Sequence, residues 1–229
     1  MIRKKFFSKK ILFKAFRDTI PVMTGYLVLS MGFGILLKTK GYGGWWALGM
    51  SLFIYAGSMQ YLTIDLLSGG ASLVAAALTA LLVNARHLFY GISMVDQYKD
   101  TGKKKPYLIF ALTDETYSLL CGKKEGSKKE QAEYFFLVSF LNQIYWVMGS
   151  LAGSLLQGIL PFNTEGIDFA LTALFVTIFV EQWLTAGEHR QAILGVGVSA
   201  VCLLVFGPEG FLIPSMLGIT LGLLGMQRI

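Results

Sequence analysis

The chain is assembled from long uninterrupted apolar blocks. Residues 19–37, 45–67, 71–95, 134–158, 167–185, 191–206 and 210–226 each reach or approach the roughly 20 residues that a helix needs to cross a hydrocarbon core of about 30 Å. A water-soluble fold of 229 residues could not hide so many apolar side chains: 54% of residues are hydrophobic, only 15% are charged and the mean hydropathy is +0.58. The expected class is therefore all-α, a polytopic membrane-embedded helical bundle with six to eight crossings and a broken or re-entrant helix. Residues 1–18 form a basic amphipathic cytoplasmic segment, with Phe6, Phe7, Phe13 and Phe16 dipping into the interface, and residues 19–229 form a single transmembrane domain.

The net charge of +6 sits between the apolar blocks, at the start, around 99–105 and around 123–129. That distribution fits cytoplasmic flanks against anionic headgroups, and it lacks the continuous basic face of a nucleic-acid reader. Arg3, Lys4, Lys5, Lys9, Lys10, Lys14 and Arg17 place the N-terminus on the cytoplasmic side of a bacterial plasma membrane. The back half then alternates without strain, from the lysines near 123–129 to the loop with Glu165 and Asp168, then to Arg190 and Arg228. The front half does not. Three long blocks precede Lys99, Lys103, Lys104 and Lys105, and three crossings would put those lysines outside. Either residues 107–120 make a short further crossing, or one front block folds back as two half-helices, with a break in AGSMQ at 56–60.

Polar residues inside apolar blocks carry the functional information, because a charge at the bilayer centre costs at least about 2.5 kcal/mol. The stretch LLVNARHLFYGISM at 81–94 holds Asn84, Arg86 and His87. On one continuous helix Asn84 and His87 share a face, and Arg86 points about a third of a turn away. A guanidinium there could hold a carboxylate and His87 could relay a proton; structurally, Arg86 could equally pair with a carboxylate elsewhere. Asp114 and Glu115 in LTDETYSL are natural partners for Arg86 or His87, proton-binding groups, or wet interfacial carboxylates. Gly57, Ser58 and Gln60 could free backbone groups for a zwitterion or form a packing notch, with Asp65 near the block's end. Asn142, Gln143 and Trp146, and Glu181 with Gln182, suit inter-helix hydrogen bonding as well as substrate contact.

Gly149 with Gly153, and Gly218 with Gly222, have the spacing that lets helices approach closely, either within one subunit or across a dimer. Cys121 and Cys202 lack metal or disulfide spacing, and neither a metal nor a cofactor is expected. An enzyme finds no inventory, with His87 and His189 the two histidines and no nucleophile elbow or phosphate loop.

The order of motifs, MGFG at 31–34, YAGSMQ at 55–60, LLVNARHLFYGIS at 81–93 and LTDETYSL at 112–119, resembles the AzlC-type branched-chain amino acid permease family across the first half. In the second half the resemblance rests on hydropathy and FVEQW at 179–183. It implies the large subunit of a two-component secondary exporter of leucine, isoleucine, valine and sometimes methionine, working with a small hydrophobic subunit of the AzlD type. Competing readings are a channel for another small solute and a non-transporting scaffold subunit.

Overall fold

The structure is a computed structural model that describes residues 8–84, 86–122, 126–159 and 186–226, with a few positions between 176 and 184. The side chains of some described residues, Arg86 among them, are left out, and Glu181 and Gln182 lie outside the described residues. Among the described residues all regular structure is helical. The chain forms two compact units, residues 1–171 and 172–229.

The first unit is framed by two long helices, α1 (Lys9–Thr39) and α8 (Lys128–Ile159), each about 46–48 Å long at 1.5 Å per residue. Both are long and apolar enough to cross a membrane. Helix α1 takes in part of the basic segment as well as the first apolar block, and it runs on past Pro21. Helix α8 opens with a reciprocal cap, in which Glu130 Oε2 accepts from the Ser127 backbone N–H at 2.9 Å and the Glu130 N–H donates to Ser127 Oγ at 3.4 Å.

The two helices run parallel. Asp18 accepts from the Tyr134 hydroxyl at 2.7 Å near their starts, Leu27 and Ser30 lie against Gly149 and Met31 against Gly153 further along, and Lys38 reaches Gly158 at their ends. Small residues make this approach possible. A methyl group on Gly34 would run into the Ser150 carbonyl, and one on Gly153 into the Met31 carbonyl. The Gly149 and Gly153 pair therefore serves packing inside the chain. Parallel helices need an odd number of end-to-end passages from the first through the second, and the segment between them supplies the return in an unusual way.

Helix α2 (Gly44–Phe53) starts beside Ser154 and Leu151 of α8 and descends to Ser150 and Gln143. Ile54, Tyr55 and Ala56 break it, and Tyr55 adopts a left-handed φ of 42°, a strained conformation for a side chain of this size. Helix α3 (Gly57–Ser68) then climbs back: the Tyr61 hydroxyl donates to the Leu29 carbonyl at 2.7 Å, and Ile64 joins Phe33, Leu36, Leu37, Ala47 and Met50 in one buried cluster. The break covers residues 54–56 and overlaps the expected 56–60 stretch only at Ala56, because Gly57 and Ser58 already form the first turn of α3.

Helices α4 (Leu73–Asn84) and α5 (Arg86–Tyr98) lead to the basic end, where Met94 and Tyr98 meet Ala15, Leu108, Leu120 and Phe135. After a 3-10 turn at Gly102–Lys104, α6 (Lys105–Phe110) rises from that end, turns at residues 111–113, and returns as α7 (Asp114–Leu120). Tyr107 and Ala111 lie at mid-height against α8, and Leu120 is back beside Ala15 and Tyr134. Residues 107–120 thus fold back rather than span. The lysines at 99–105 end up beside the start of α8, as the Asp100–Lys128 ion pair of 2.6 Å shows.

In the second unit, α9 (Arg190–Gly210) and α10 (Leu212–Met226) pack antiparallel, with Gly218 against Val198 and Gly222 against Leu194. Helix α9 kinks at Gly207, whose φ of 72° suits glycine. A cavity of about 740 Å³ in this unit is lined by Phe179, Trp183 and His189, with His189 stacked on Trp183 at 4.2 Å.

Candidate functional site

The two hairpins enter the first unit from opposite ends and their tips touch at mid-height. Tyr55 of the α2–α3 tip and Ala111 of the α6–α7 tip share a buried cluster with Tyr26, Tyr145 and Trp146, and the Tyr55 and Phe110 rings are 6.3 Å apart. Non-helical backbone at such depth leaves peptide groups to be satisfied by side chains, and the surroundings are correspondingly polar.

On the α2–α3 side the groups are neutral. Gln60, fully buried, accepts at Oε1 from Trp146 Nε1 at 2.7 Å and donates through Nε2 to Ser51 Oγ at 3.2 Å. Ser51 donates to Ser150 Oγ at 2.9 Å, and Ser150 donates to the Trp146 carbonyl at 2.8 Å. Gln143 caps the end of α2 by donating to the Leu52 carbonyl at 3.4 Å, and it accepts from the Tyr107 hydroxyl at 2.8 Å. Gly57 is a glycine for space: a Cβ there would lie 2.7 Å from the Trp146 ring. Ser58 is buried nearby.

On the α6–α7 side a carboxylate enters. Thr113 caps α7 by accepting from the Thr116 backbone N–H at 3.2 Å, and Asp114 and Glu115 occupy the first turn, where the helix dipole favours negative charge. Glu115 Oε2 accepts from the Tyr26 hydroxyl of α1 at 2.7 Å. From Tyr26 a chain of contacts continues to Thr113 at 2.7 Å, to Thr116 at 3.0 Å and to Asn142 of α8, whose Nδ2 donates to Thr116 Oγ1 at 3.0 Å. Tyr26 and Trp146 pack edge to face at 5.1 Å, so the two polar groups share a wall. Two buried polar atoms here complete no hydrogen bond of good geometry, Asn142 Oδ1 and the Tyr55 hydroxyl, which lies beside that of Tyr26.

The sequence-derived candidates divide accordingly. Gly57, Ser58, Gln60 and Glu115 converge on α1 and α8 at mid-height, and Asn142, Gln143 and Trp146, ranked lower from sequence, stand at the centre. Asp114 is half-buried beside Glu115. Asn84 and His87 sit on consecutive helices on either side of residue 85, with Asn84 Nδ2 donating to the Ala80 carbonyl at 2.9 Å. The His87 ring packs on Tyr90 at 5.9 Å, and Tyr90 stacks on Tyr117 of α7 at 4.9 Å. Glu115 is bonded to Tyr26, and the side chain of Arg86, suggested with His87 as a partner for Asp114 or Glu115, lies outside the described residues. Sequence reasoning missed Tyr26, Tyr55, Ser51, Thr113 and Thr116. Lone hydroxyls in apolar blocks carry little signal, since most satisfy themselves on their own helix, as Thr19 and Thr24 do in α1.

Residues 21–160 match the family described as AzlC protein. The chain is 42% identical over 214 residues to the "Branched-chain amino acid transport protein AzlC" of Bacillus subtilis, covering 93% of this chain and 84% of that one. It is 44% identical over 221 residues to an "Uncharacterized membrane protein" of Helicobacter pylori (strain ATCC 700392 / 26695), covering 94% and 96%, and 29% identical over 185 residues to the "Inner membrane protein YgaZ" of Escherichia coli, covering 77% and 74%. No solved structure matches the chain. The matched stretch contains both hairpins, all of α8 and the part of α1 from Pro21 onward, and on that match and these identities the chain belongs to the AzlC family.

Proposed function

We propose that this chain is the transporting subunit of a secondary exporter of branched-chain amino acids, set in a bacterial inner membrane with its N-terminus cytoplasmic and working with a small hydrophobic AzlD-like subunit. The name printed for the Bacillus subtilis relative supports the substrate class. The observation that carries the reading is the meeting of two half-length hairpins around a buried polar cluster. In hydrocarbon, backbone leaves the helix only where protein or a cavity covers it, and carriers place such breaks where a solute is held midway.

Within residues 1–159, α1, α4 with α5, and α8 cross, whereas α2–α3 and α6–α7 enter and return. This threading keeps Lys99, Lys103, Lys104 and Lys105 with the basic N-terminus and answers the charge conflict of the front half. An α2–α3 hairpin closing one side and an α6–α7 hairpin closing the other would give alternating access by moving one tip at a time.

The test is leucine counterflow in proteoliposomes holding the full chain, with and without a co-expressed small hydrophobic partner. Accumulation of labelled leucine against preloaded unlabelled leucine is the expected result. Absence of exchange from correctly inserted protein with its partner bound would overturn the carrier reading in favour of a scaffold subunit.

A further inference from the structure

We infer that the cluster between the two tips is an ammonium subsite, in which the Glu115 carboxylate and the Tyr55 hydroxyl take the amino group of the transported solute and Tyr26 positions the carboxylate. This rests on the carrier reading above and adds to it the residues that select an amine.

The donor and acceptor inventory leads there. Glu115 accepts from the Tyr26 hydroxyl, with the Thr113 hydroxyl and its own backbone N–H also beside it, and a carboxylate has capacity for more. The Tyr55 hydroxyl, on a residue only 3% exposed, lies beside the Tyr26 hydroxyl without completing a hydrogen bond of good geometry, and it is within electrostatic reach of Glu115 and Tyr107. Asn142 Oδ1, on a residue with no exposure, is also without a donor, at the far end of the hydrogen-bond chain that starts at Glu115. Buried polar atoms left in this state are costly; Asn142 Oδ1 needs a donor, and the Tyr55 hydroxyl can accept from one. An alkylammonium brings three donors and no acceptor, and it matches the carboxylate in charge. A carboxylate ligand would instead face Glu115 with like charge, so the solute's own carboxylate has to be held elsewhere.

The backbone supports the same conclusion. Tyr55 is held at a φ of 42° in the tip of α2–α3, so its hydroxyl moves with that tip, whereas Glu115 moves with α7. An ammonium bound between them would bridge the two hairpins, and its departure would leave them free to part. Edge-to-face contact with Trp146 fixes the Tyr26 ring and hence the direction of its hydroxyl toward Glu115.

The experiment compares leucine with its 2-keto acid, which lacks the amine, as competitors of labelled leucine exchange in proteoliposomes of the full chain with its partner subunit. Glu115→Gln keeps an acceptor for Tyr26 and removes the charge. It should raise the KM for leucine roughly 10- to 100-fold and shrink the preference for leucine over the keto acid by a similar factor. Tyr55→Phe should raise that KM roughly 3- to 10-fold with the same loss of preference, and it keeps the inference testable should the glutamine variant fail to insert. Unchanged preference in either inserted variant would overturn the subsite, including the case where Glu115→Gln abolishes only a proton or sodium dependence of exchange and leaves KM intact. Wild-type protein that exchanges no leucine would overturn the carrier reading, and the subsite with it; exchange with unaltered discrimination would overturn the subsite alone.

Discussion

Helices α2 and α3 carry 10 and 12 residues into the first unit, and α6 and α7 carry 6 and 7. The longer hairpin is tied to α8 by neutral hydrogen bonds through Gln60, Ser51 and Ser150 and by the fit of Gly57 against Trp146. The shorter one is tied to α8 by the neutral Tyr107–Gln143 and Asn142–Thr116 bonds and to α1 by a carboxylate on a tyrosine hydroxyl, and its base is closed by an ion pair between exposed side chains. Neutral bonds inside a dry cluster persist whatever binds nearby. A carboxylate changes its preferred partner when a cation arrives or a proton is taken up. The two hairpins therefore differ in what can release them: on the proposed carrier reading, α6–α7 is the more responsive gate and α2–α3 the more firmly held one.

Both hairpins hang on the α1–α8 frame, so the largest effect comes from breaking it. Gly34→Leu drives a side chain into the Ser150 carbonyl and the Ser154 backbone N, atoms that cannot yield without parting the helices. The expected outcome is loss of monodisperse protein on size-exclusion chromatography in detergent, with no distinction between the hairpins. A well-folded Gly34→Leu protein would mean that the parallel helix pair is not what holds the tips together.

The next variants separate the two sides. Gln60→Leu leaves the Trp146 indole N–H and the Ser51 hydroxyl short of a partner in a buried site, at a cost of about 1–3 kcal/mol. Thermal unfolding in nanodiscs should show a lowered midpoint, while the ratio of leucine to keto acid recognition stays near wild type. Glu115→Gln should do the reverse, changing the midpoint little because the amide oxygen still accepts from Tyr26, while altering recognition. If the two variants shift stability and recognition alike, the division into a fixed and a responsive hairpin fails.

Much of this was legible in the sequence, and the gaps have physical causes. The helical membrane-type composition follows from apolar block length alone. The charge conflict around Lys99–Lys105 called for either a short further crossing at 107–120 or a folded-back front block, and AGSMQ at 56–60 overlaps the observed break at Ala56. That residues 107–120 also fold back was hidden, because a 14-residue apolar run fits a short crossing and a folded-back pair equally well. Glu115 stood out as a charge in an apolar run. Its partner Tyr26 did not, since one tyrosine among the ten in the chain has no periodic or charge signature and only the tertiary approach of α1 to α7 selects it. Asn142, Gln143 and Trp146 were visible as a polar turn in α8, yet their importance depends on both hairpins ending at their height.

The smallest expected effect concerns the base of α6–α7, where Asp100 and Lys128 bracket the whole hairpin at 2.6 Å. The hydrogen bond and charge of Lys128 hold the Asp100 carboxyl below its usual value of 3.8. Because the folded carboxyl is the stronger acid, the contact contributes fully above the ordinary carboxyl range and is lost as pH falls below it toward the folded value. Both side chains are largely exposed, so salt screens the pair and the global midpoint of unfolding should barely move. The local consequence is the informative one. Hydrogen exchange across residues 102–122 should quicken in 1 M salt and in Asp100→Asn, whereas exchange across residues 44–68, which have no such tie among their described contacts, should stay the same. Equal acceleration in both hairpins would show that the ion pair supports the frame, and α6–α7 would lose its claim to be the more easily released of the two.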